Sequence, residues 1–162
     1  MLPPAAKTLI DLLQFNHDII HLQLKDITHA ESLVQPPFRG NCMNWVIGHI
    51  LGVREEYLEL LGLPGVLSET EKIIYGYGSE PIVDPTRASD LNSLVKRLDA
   101  SLDILVNKLG NLSQAELDNQ VQIWRGPLPL AEALSFMQWH EAYHTGQLEL
   151  LRQLAGKNDH VI

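Results

Sequence analysis

The chain has 162 residues, a length that suits one domain with a substantial core, and the sequence predicts a single domain over residues 1–162. Its formal charge is -8 and its basic residues form no cluster, which argues against nucleic acid and anionic membranes as partners. The lone cysteine, Cys42, excludes an internal disulfide. With no signal-peptide order at the start and no apolar run of about 18 residues, we expect a cytoplasmic location.

Four stretches carry apolar residues at steps of three and four, the period of an amphipathic helix. The first covers residues 5–34 and ends before Pro36 and Pro37, which cannot continue a helix. The second follows Asn44, a residue type that caps helix N-termini, and closes at Gly62. Both are predicted to turn an apolar face towards a common core.

The third and fourth helices follow the same pattern. Asp90 can cap the third, which Gly110 ends. The fourth covers residues 130–154. Four long amphipathic helices predict an all-α fold, a four-helix bundle.

Two connections are long enough to have structure of their own. Residues 63–88 mix aromatic residues with turn residues and are predicted to form a partly ordered lid. In the later connection, residues 111–129, we expect a short helical turn from Ser113 and an extended piece around residues 121–124.

The segment His140-Glu-Ala-Tyr-His144 places two histidines four residues apart on the inward stripe of the fourth helix, and Gln147 follows on the same stripe. Buried imidazoles need hydrogen-bond partners or a cation. His49, at the margin of the second helix's apolar face, is the candidate third ligand; the alternative is a core-edge histidine bonded to a carbonyl. Three neutral imidazoles would leave a coordination position open, as in catalytic metal sites.

The same segment matches H-E-x-x-H, the signature of zinc metalloproteases. A protease is not expected, because Leu150 occupies the place of the extended motif's third histidine. The sequence also lacks the strand pattern expected beside a peptide-binding cleft. Glu141 is nevertheless the candidate general base, because its position relative to the two histidines is the same.

Several polar residues interrupt the apolar stripes. Asn16 and Gln23 lie in mid-stripe on the first helix, where they would orient a ligand or metal-bound water, or bond to a neighbouring helix. Arg54 would pair with a carboxylate of the protein or of a substrate. A second histidine pair, His17 and His21, lies at the edge or outside of the first helix, where a solvated face is a commoner interpretation than a metal site.

Three pieces of sequence occur in an order and spacing that cover most of the chain. They are Asn44-Trp45 leading to His49, the loop Tyr75-Gly-Tyr-Gly-Ser-x-Pro, and His140-x-x-x-His144-x-Gly-Gln147 followed by Arg152. Together they resemble the DinB-like, or DinB/YfiT-type, metalloenzyme family. The resemblance implies an up-down-down-up four-helix bundle with a long crossover. It also implies a homodimer, and one divalent metal per chain, nickel or zinc, held by His49, His140 and His144.

Characterised members of that family include thiol-dependent S-transferases and a thiol-dependent isomerase. A divalent ion can hold a thiol as thiolate or lower the pKa of water to about 7, so thiol transfer and hydrolysis both stay open. The preferred hypothesis is a metal-dependent S-transferase that joins a small-molecule thiol to an electrophilic substrate. The alternatives are a metal-dependent hydrolase and a non-catalytic metal-binding or interaction protein. Apolar residues left over at Phe15, Leu22 and Ile104 suggest a twofold contact.

Overall fold

The structure, a computed structural model, describes residues 2–161 and is mostly helical, which confirms the all-α prediction. The helices are α1 (Pro4–Leu24), α2 (His29–Ser32), α3 (Met43–Leu60), α4 (Glu69–Tyr75), α5 (Leu91–Gly110), α6 (Gln114–Asp118) and α7 (Leu130–Leu154). A 3₁₀ turn covers Pro85–Arg87, and strands β1 (Gln120–Ile123) and β2 (Gly126–Pro129) pair antiparallel. No helix among residues 2–161 is both long and apolar enough to span a membrane.

The four long helices form a ring in which α1 and α3 each lie between α5 and α7. Helices α3 and α5 run parallel, because Asn44 bonds to the carbonyl of Ser89 at one end and Arg54 bonds to that of Leu98 further along both. Two parallel neighbours need a connection that returns along the bundle. Residues 61–90 make that crossover, and they contain α4 and the 3₁₀ turn.

Helix α7 runs parallel to α1. Gln23 bonds to Glu149, and the carbonyl of Lys25, the C-cap residue two positions later, accepts from Arg152. His21 on α1 bonds to Asp99 on α5, and the later His29 on α2 accepts from the backbone of the earlier Leu91 on α5. Helices α1 and α5 are therefore antiparallel. The bundle is therefore up-down-down-up, the arrangement that the resemblance implied.

The first predicted helix is in fact two helices. Helix α1 ends at Leu24, and Asp26 adopts a left-handed conformation with φ of 58°. Thr28 then begins α2 through a capping box with Glu31. The Thr28 hydroxyl accepts from the Glu31 backbone N–H, and the Glu31 carboxylate accepts from the Thr28 backbone N–H. A capping box satisfies free N–H groups at the start of a helix, so it favours a new helix at this point. The apolar period of the sequence continues across the break, although α1 does not. The predicted span of residues 5–34 was too long for this reason.

The later connection has the helical turn and the extended piece that the sequence predicted. Ser113 caps α6 through a capping box with Glu116. The extended piece is β1, and it pairs with β2 across a tight turn that Gly126 closes with φ of 109°. Strand β2 contains two prolines, which are tolerated in such a two-stranded edge.

The core consists of two hydrophobic clusters with a polar layer between them. One cluster includes Leu13, Tyr57, Leu105 and Leu134, and the other Ile20, Ile47, Leu94 and Leu148. At the boundary each long helix carries a buried polar residue: Asn16 on α1, Arg54 on α3, Ser101 on α5 and Glu141 on α7. The polar layer therefore crosses the whole bundle.

An ion pair between Arg54 and Glu141 is the centre of this layer, and both side chains are 0% exposed. Arg54 donates from Nε to Oε2 of Glu141 at 3.1 Å and from Nη2 to Oε1 at 3.0 Å. Its Nη1 donates to the carbonyl of Leu98 at 2.7 Å and to Oγ of Ser101 at 3.0 Å. The pair thus joins α3, α5 and α7, and the pairing of Arg54 with a protein carboxylate is one of its two predicted roles.

Breaking this pair from one side should destabilise the protein strongly. Glu141→Gln leaves a buried guanidinium without a counter-charge, which typically costs about 3–5 kcal/mol. The double variant Arg54→Met, Glu141→Leu removes both charges and should lose less stability than Glu141→Gln alone. Midpoints of urea unfolding measure both effects. If the free energy of unfolding of Glu141→Gln were within about 1 kcal/mol of the wild-type value, the result would contradict a strongly stabilising buried pair of Arg54 and Glu141.

Candidate metal centre

The structure brings His49, His140 and His144 together inside the bundle. One ring nitrogen from each of the three lies within 4.8 Å of the other two. The Nε2 atoms of His140 and His144 are 2.9 Å apart, and the ring of His49 stands edge-on to both others. Ligands of a tetrahedral ion at about 2 Å would lie roughly 3.3 Å apart, so only a small movement separates this cluster from a coordinating geometry.

Two of the three imidazoles have a partner on the far side of the ring. Nδ1 of His49 lies 2.8 Å from the carbonyl oxygen of Tyr75, and Nδ1 of His144 lies 3.0 Å from Oε1 of Gln147. Because both partners are acceptors, each Nδ1 carries the proton and Nε2 keeps its lone pair. This tautomer is the one that metal-ligating histidines need. The donor set therefore fits a divalent transition metal, and Gln147 lies in its predicted position behind a ligand.

The orientation of His49 depends on the crossover. Gly48 lies against the ring of Tyr75, and a Cβ at this glycine would come within 2.2 Å of Cδ1 of that ring. Only glycine allows Tyr75 to pack so closely, and this packing brings the Tyr75 carbonyl to His49. The hydroxyl of Tyr75 donates to Asn44 at 3.0 Å and accepts from the backbone of Ser89 at 2.8 Å. Sequence reasoning found the loop motif and missed this role of Tyr75.

Asn44 and Trp45 also hold the crossover on α3. Asn44 was predicted to cap this helix, but the N-cap residue is Cys42, and the buried amide of Asn44 bonds instead to Ser89. Trp45 stacks on the ring of His49 at 4.6 Å between centroids, and its indole N–H donates to Ser79 at 2.9 Å. The motif residues thus position His49 rather than start a helix.

Burial sets the charge state of the cluster. Desolvation lowers the pKa of His49 and of His140, and it lowers the pKa of His144 to about 4. All three imidazoles are therefore neutral at pH 7, which is the form that binds a metal.

A cavity of about 570 Å³ opens beside the cluster, between α3 and the crossover. His49 and His140 form part of its wall, and Tyr75, Gly76 and Tyr77 of the crossover line it opposite α3. The remaining charged lining residues are Glu55, Glu56, Glu59 and Lys72. Residues predicted as a lid therefore form a wall of the space next to the histidines.

The structure gives Glu141, the predicted general base, a different environment. Both of its oxygens accept from Arg54, and neither belongs to the group of ligand atoms around His49, His140 and His144. This carboxylate is fully buried and does not line the cavity, so it is out of reach of a reacting proton there. Arg54 is likewise committed within the protein rather than to a substrate.

Asn16 and Gln23 are both buried, as their positions predicted. Gln23 donates from its amide to Glu149 at 2.5 Å, so its contact is with α7 rather than with a ligand histidine. Nδ2 of Asn16 has no partner among the described residues. Arg152, which follows the histidine motif on α7, donates to the carbonyls of Gln23 and Lys25. These bonds fix the end of α1 against α7.

Comparison with known proteins agrees with this architecture. The DinB superfamily matches residues 11–148, and the chain belongs to this family. A solved structure described as a conserved protein from Enterococcus faecalis has the same fold, with a TM-score of 0.72 at 20% identity over 92% of this chain and 95% of that one. No curated protein matches the chain.

The lowered pKa values predict how the stability of the metal-free protein depends on pH. Below pH 6.5 the unfolded chain takes up protons at these histidines and the folded chain does not, so stability falls as pH falls. The loss runs from about pH 6.5 down through the folded pKa of His144, about 4, and that residue alone contributes up to about 3 kcal/mol. Urea unfolding of chelator-treated protein at several pH values measures it.

The matched control is His140→Ala, His144→Ala, which removes two of the three groups. Its stability should depend less steeply on pH over the same range. Equal slopes for the wild type and this variant would show that the cluster does not titrate as described.

Proposed function

We propose that this protein is a metal-dependent enzyme that holds one nickel or zinc ion per chain with His49, His140 and His144. We propose further that it transfers a small-molecule thiol to an electrophilic substrate. The observation that carries the proposal is the position of His49 and His140 in the wall of a cavity of about 570 Å³. A sealed structural site would have no such space beside its ligands.

A bound divalent ion would supply one piece of chemistry, a lowered pKa for a thiol or a water molecule beside it. In the proposed reaction the thiol S–H gives its proton to solvent. The sulfur then forms a bond to the electrophilic carbon, and the leaving group departs with the electron pair of the bond that breaks. Cys42 is buried and desolvation raises its pKa, so the thiol comes from outside the chain. Glu141 takes no part, because Arg54 occupies its carboxylate.

The walls of the cavity favour one class of thiol. They carry three carboxylates, Glu55, Glu56 and Glu59, against the single ammonium of Lys72. Desolvation and then the negative charge of the neighbouring Glu59 raise the pKa of Glu56. Neutral or cationic thiols should therefore enter more readily than anionic ones.

Two alternatives use the same residues. In a metal-dependent hydrolase, water rather than a thiol would attack the substrate. In a non-catalytic protein, the ion would only join α3 to α7, the two helices that provide the histidines. Turnover would distinguish the S-transferase and the hydrolase from the non-catalytic protein. The identity of the nucleophile, a thiol or water, would distinguish the two enzymes from each other.

The test is turnover by the metal-loaded protein with cationic, neutral and anionic low-molecular-weight thiols and a chromogenic electrophile. We expect rate acceleration that falls in that order of thiol charge. His49→Ala should lower the rate by about 100-fold or more, since even changes behind a metal ligand typically cost roughly 10- to 100-fold. His160→Ala, an exposed histidine outside the cluster, is the matched control and should keep the wild-type rate.

Circular dichroism should show that His49→Ala stays folded, so that a lost rate reports the site. Hydrolysis of esters or amides without any thiol effect would favour the hydrolase. No acceleration of either reaction, with metal bound, would overturn the enzyme proposal in favour of the non-catalytic protein.

We also propose a homodimer built on an exposed stripe of α7. Trp139, Tyr143 and Leu150 are 59%, 57% and 60% exposed, and Gly146 lies between them on the same helical face. The absence of a side chain at Gly146 lets a second helix approach closely. Phe15 and Leu22 are exposed on the neighbouring α1, whereas Ile104 is partly buried and packs against the core.

Light scattering should give twice the chain mass for the wild type. Tyr143→Glu places a charge in the stripe and should give a monomer, because a twofold contact would bring two such charges together. Ile73→Glu changes an apolar residue on α4 that is even more exposed, at 73%, and should leave the dimer intact. A wild-type monomer at high micromolar concentration would contradict the proposal.

A further inference from the structure

A second cluster of metal-ligating side chains lies between α1 and α5. His17 and His21 are one turn apart on α1, with ring centroids 4.5 Å apart, and Asp99 faces them from α5. Oδ1 of Asp99 is 3.2 Å from Nε2 of His17 and 2.7 Å from Nε2 of His21. One ligand atom from each residue lies within 4.8 Å of the other two. No residue is shared with the three-histidine centre.

These distances are close to what a metal ion requires. Ligand atoms around a tetrahedral ion with bonds of about 2 Å are separated by roughly 3.3 Å. The two nitrogen–oxygen separations would have to widen by only tenths of an ångström. Two imidazoles four residues apart on a helix, with a carboxylate from the neighbouring helix, form a donor set typical of zinc, nickel or copper.

The charge state of His17 also suits a ligand. Desolvation, followed by the positive charge of Arg54, lowers its pKa, so the ring is neutral at pH 7. A neutral imidazole forms no full ion pair with Asp99. Both Nε2 atoms face the acceptor oxygen of Asp99, so in the metal-free protein they carry protons, and a cation that displaces these protons can bond to the two nitrogens and the carboxylate.

The site is open to solvent on one side. The side chain of His17 is 12% exposed, while those of His21 and Asp99 are 42% and 46% exposed. An ion can enter from solvent, and water can fill its remaining coordination positions. Exposure also distinguishes this cluster from the three-histidine centre, where two of the three ligands are buried.

We propose that His17, His21 and Asp99 form a second divalent transition-metal site. An ion there joins α1 to α5, whereas an ion at the three-histidine centre joins α3 to α7. With both sites filled, all four long helices are linked in pairs. The interpretation of the first-helix histidines as a solvated face missed this arrangement because the third ligand lies 78 residues away along the chain.

The experiment is a zinc titration of the chelator-treated full chain, with ions per chain measured by elemental analysis after gel filtration in micromolar free zinc. We expect two zinc ions for the wild type and one for Asp99→Asn. The double variant His140→Ala, His144→Ala should also bind one, at the second site. Combining it with Asp99→Asn should abolish binding. Asp103→Asn, an exposed aspartate one turn further along α5, is the matched control and should bind two.

Thermal unfolding gives a readout that is independent of composition. The second equivalent of zinc should raise the melting temperature of the wild type and of Asp103→Asn, and leave that of Asp99→Asn unchanged, because a ligand stabilises the folded state that binds it. Asp99 is half exposed, so Asp99→Asn is expected to fold, and circular dichroism checks this. A single zinc ion in the wild type that Asp99→Asn retains, or two in Asp99→Asn, would overturn the second site.

Discussion

The buried pair of Arg54 and Glu141 constrains the rest of the bundle. Neither charge is tolerated alone in the core, so α3 and α7 must meet in the one register that brings Nε and Nη2 of the guanidinium to the carboxylate. Glu141 follows His140 directly, and Arg54 lies five residues after His49. Fixing the pair therefore also fixes how α7 presents His140 and His144 to His49. The ion pair and the histidine cluster thus lie at neighbouring positions on the same two helices.

Topology connects the fold to the cavity. Parallel α3 and α5 require a crossover, and the same crossover supplies Tyr75, whose carbonyl holds the tautomer of His49. Gly48 allows that approach, and the bonds of Asn44 and Trp45 fix the crossover on α3. The segment that completes the bundle thus also forms one side of the space next to the histidines. A change in this segment should affect ligand orientation before it affects the core.

The sequence was sufficient for the four long helices, because their apolar period reflects the burial that stabilises them. It was insufficient where a local signal competed with that period, as at Thr28, where a capping box begins a new helix. Asn44 shows the opposite error, since a good capping residue is used for a tertiary bond. The inward phase of His49, His140 and His144 could be predicted, whereas the acceptor behind His49 is a backbone carbonyl from the crossover, which no residue pattern encodes.

The two histidine pairs and Glu141 show why spacing alone does not define chemistry. His17–His21 and His140–His144 have the same local geometry, yet one faces a carboxylate at the surface and the other an imidazole in the core. Glu141 has the spacing of a metalloprotease base, yet Arg54 on another helix takes its carboxylate. In each case the partner comes from a distant part of the chain. A helix motif limits which ligands can share a face, and the neighbouring helix decides what that face can bind.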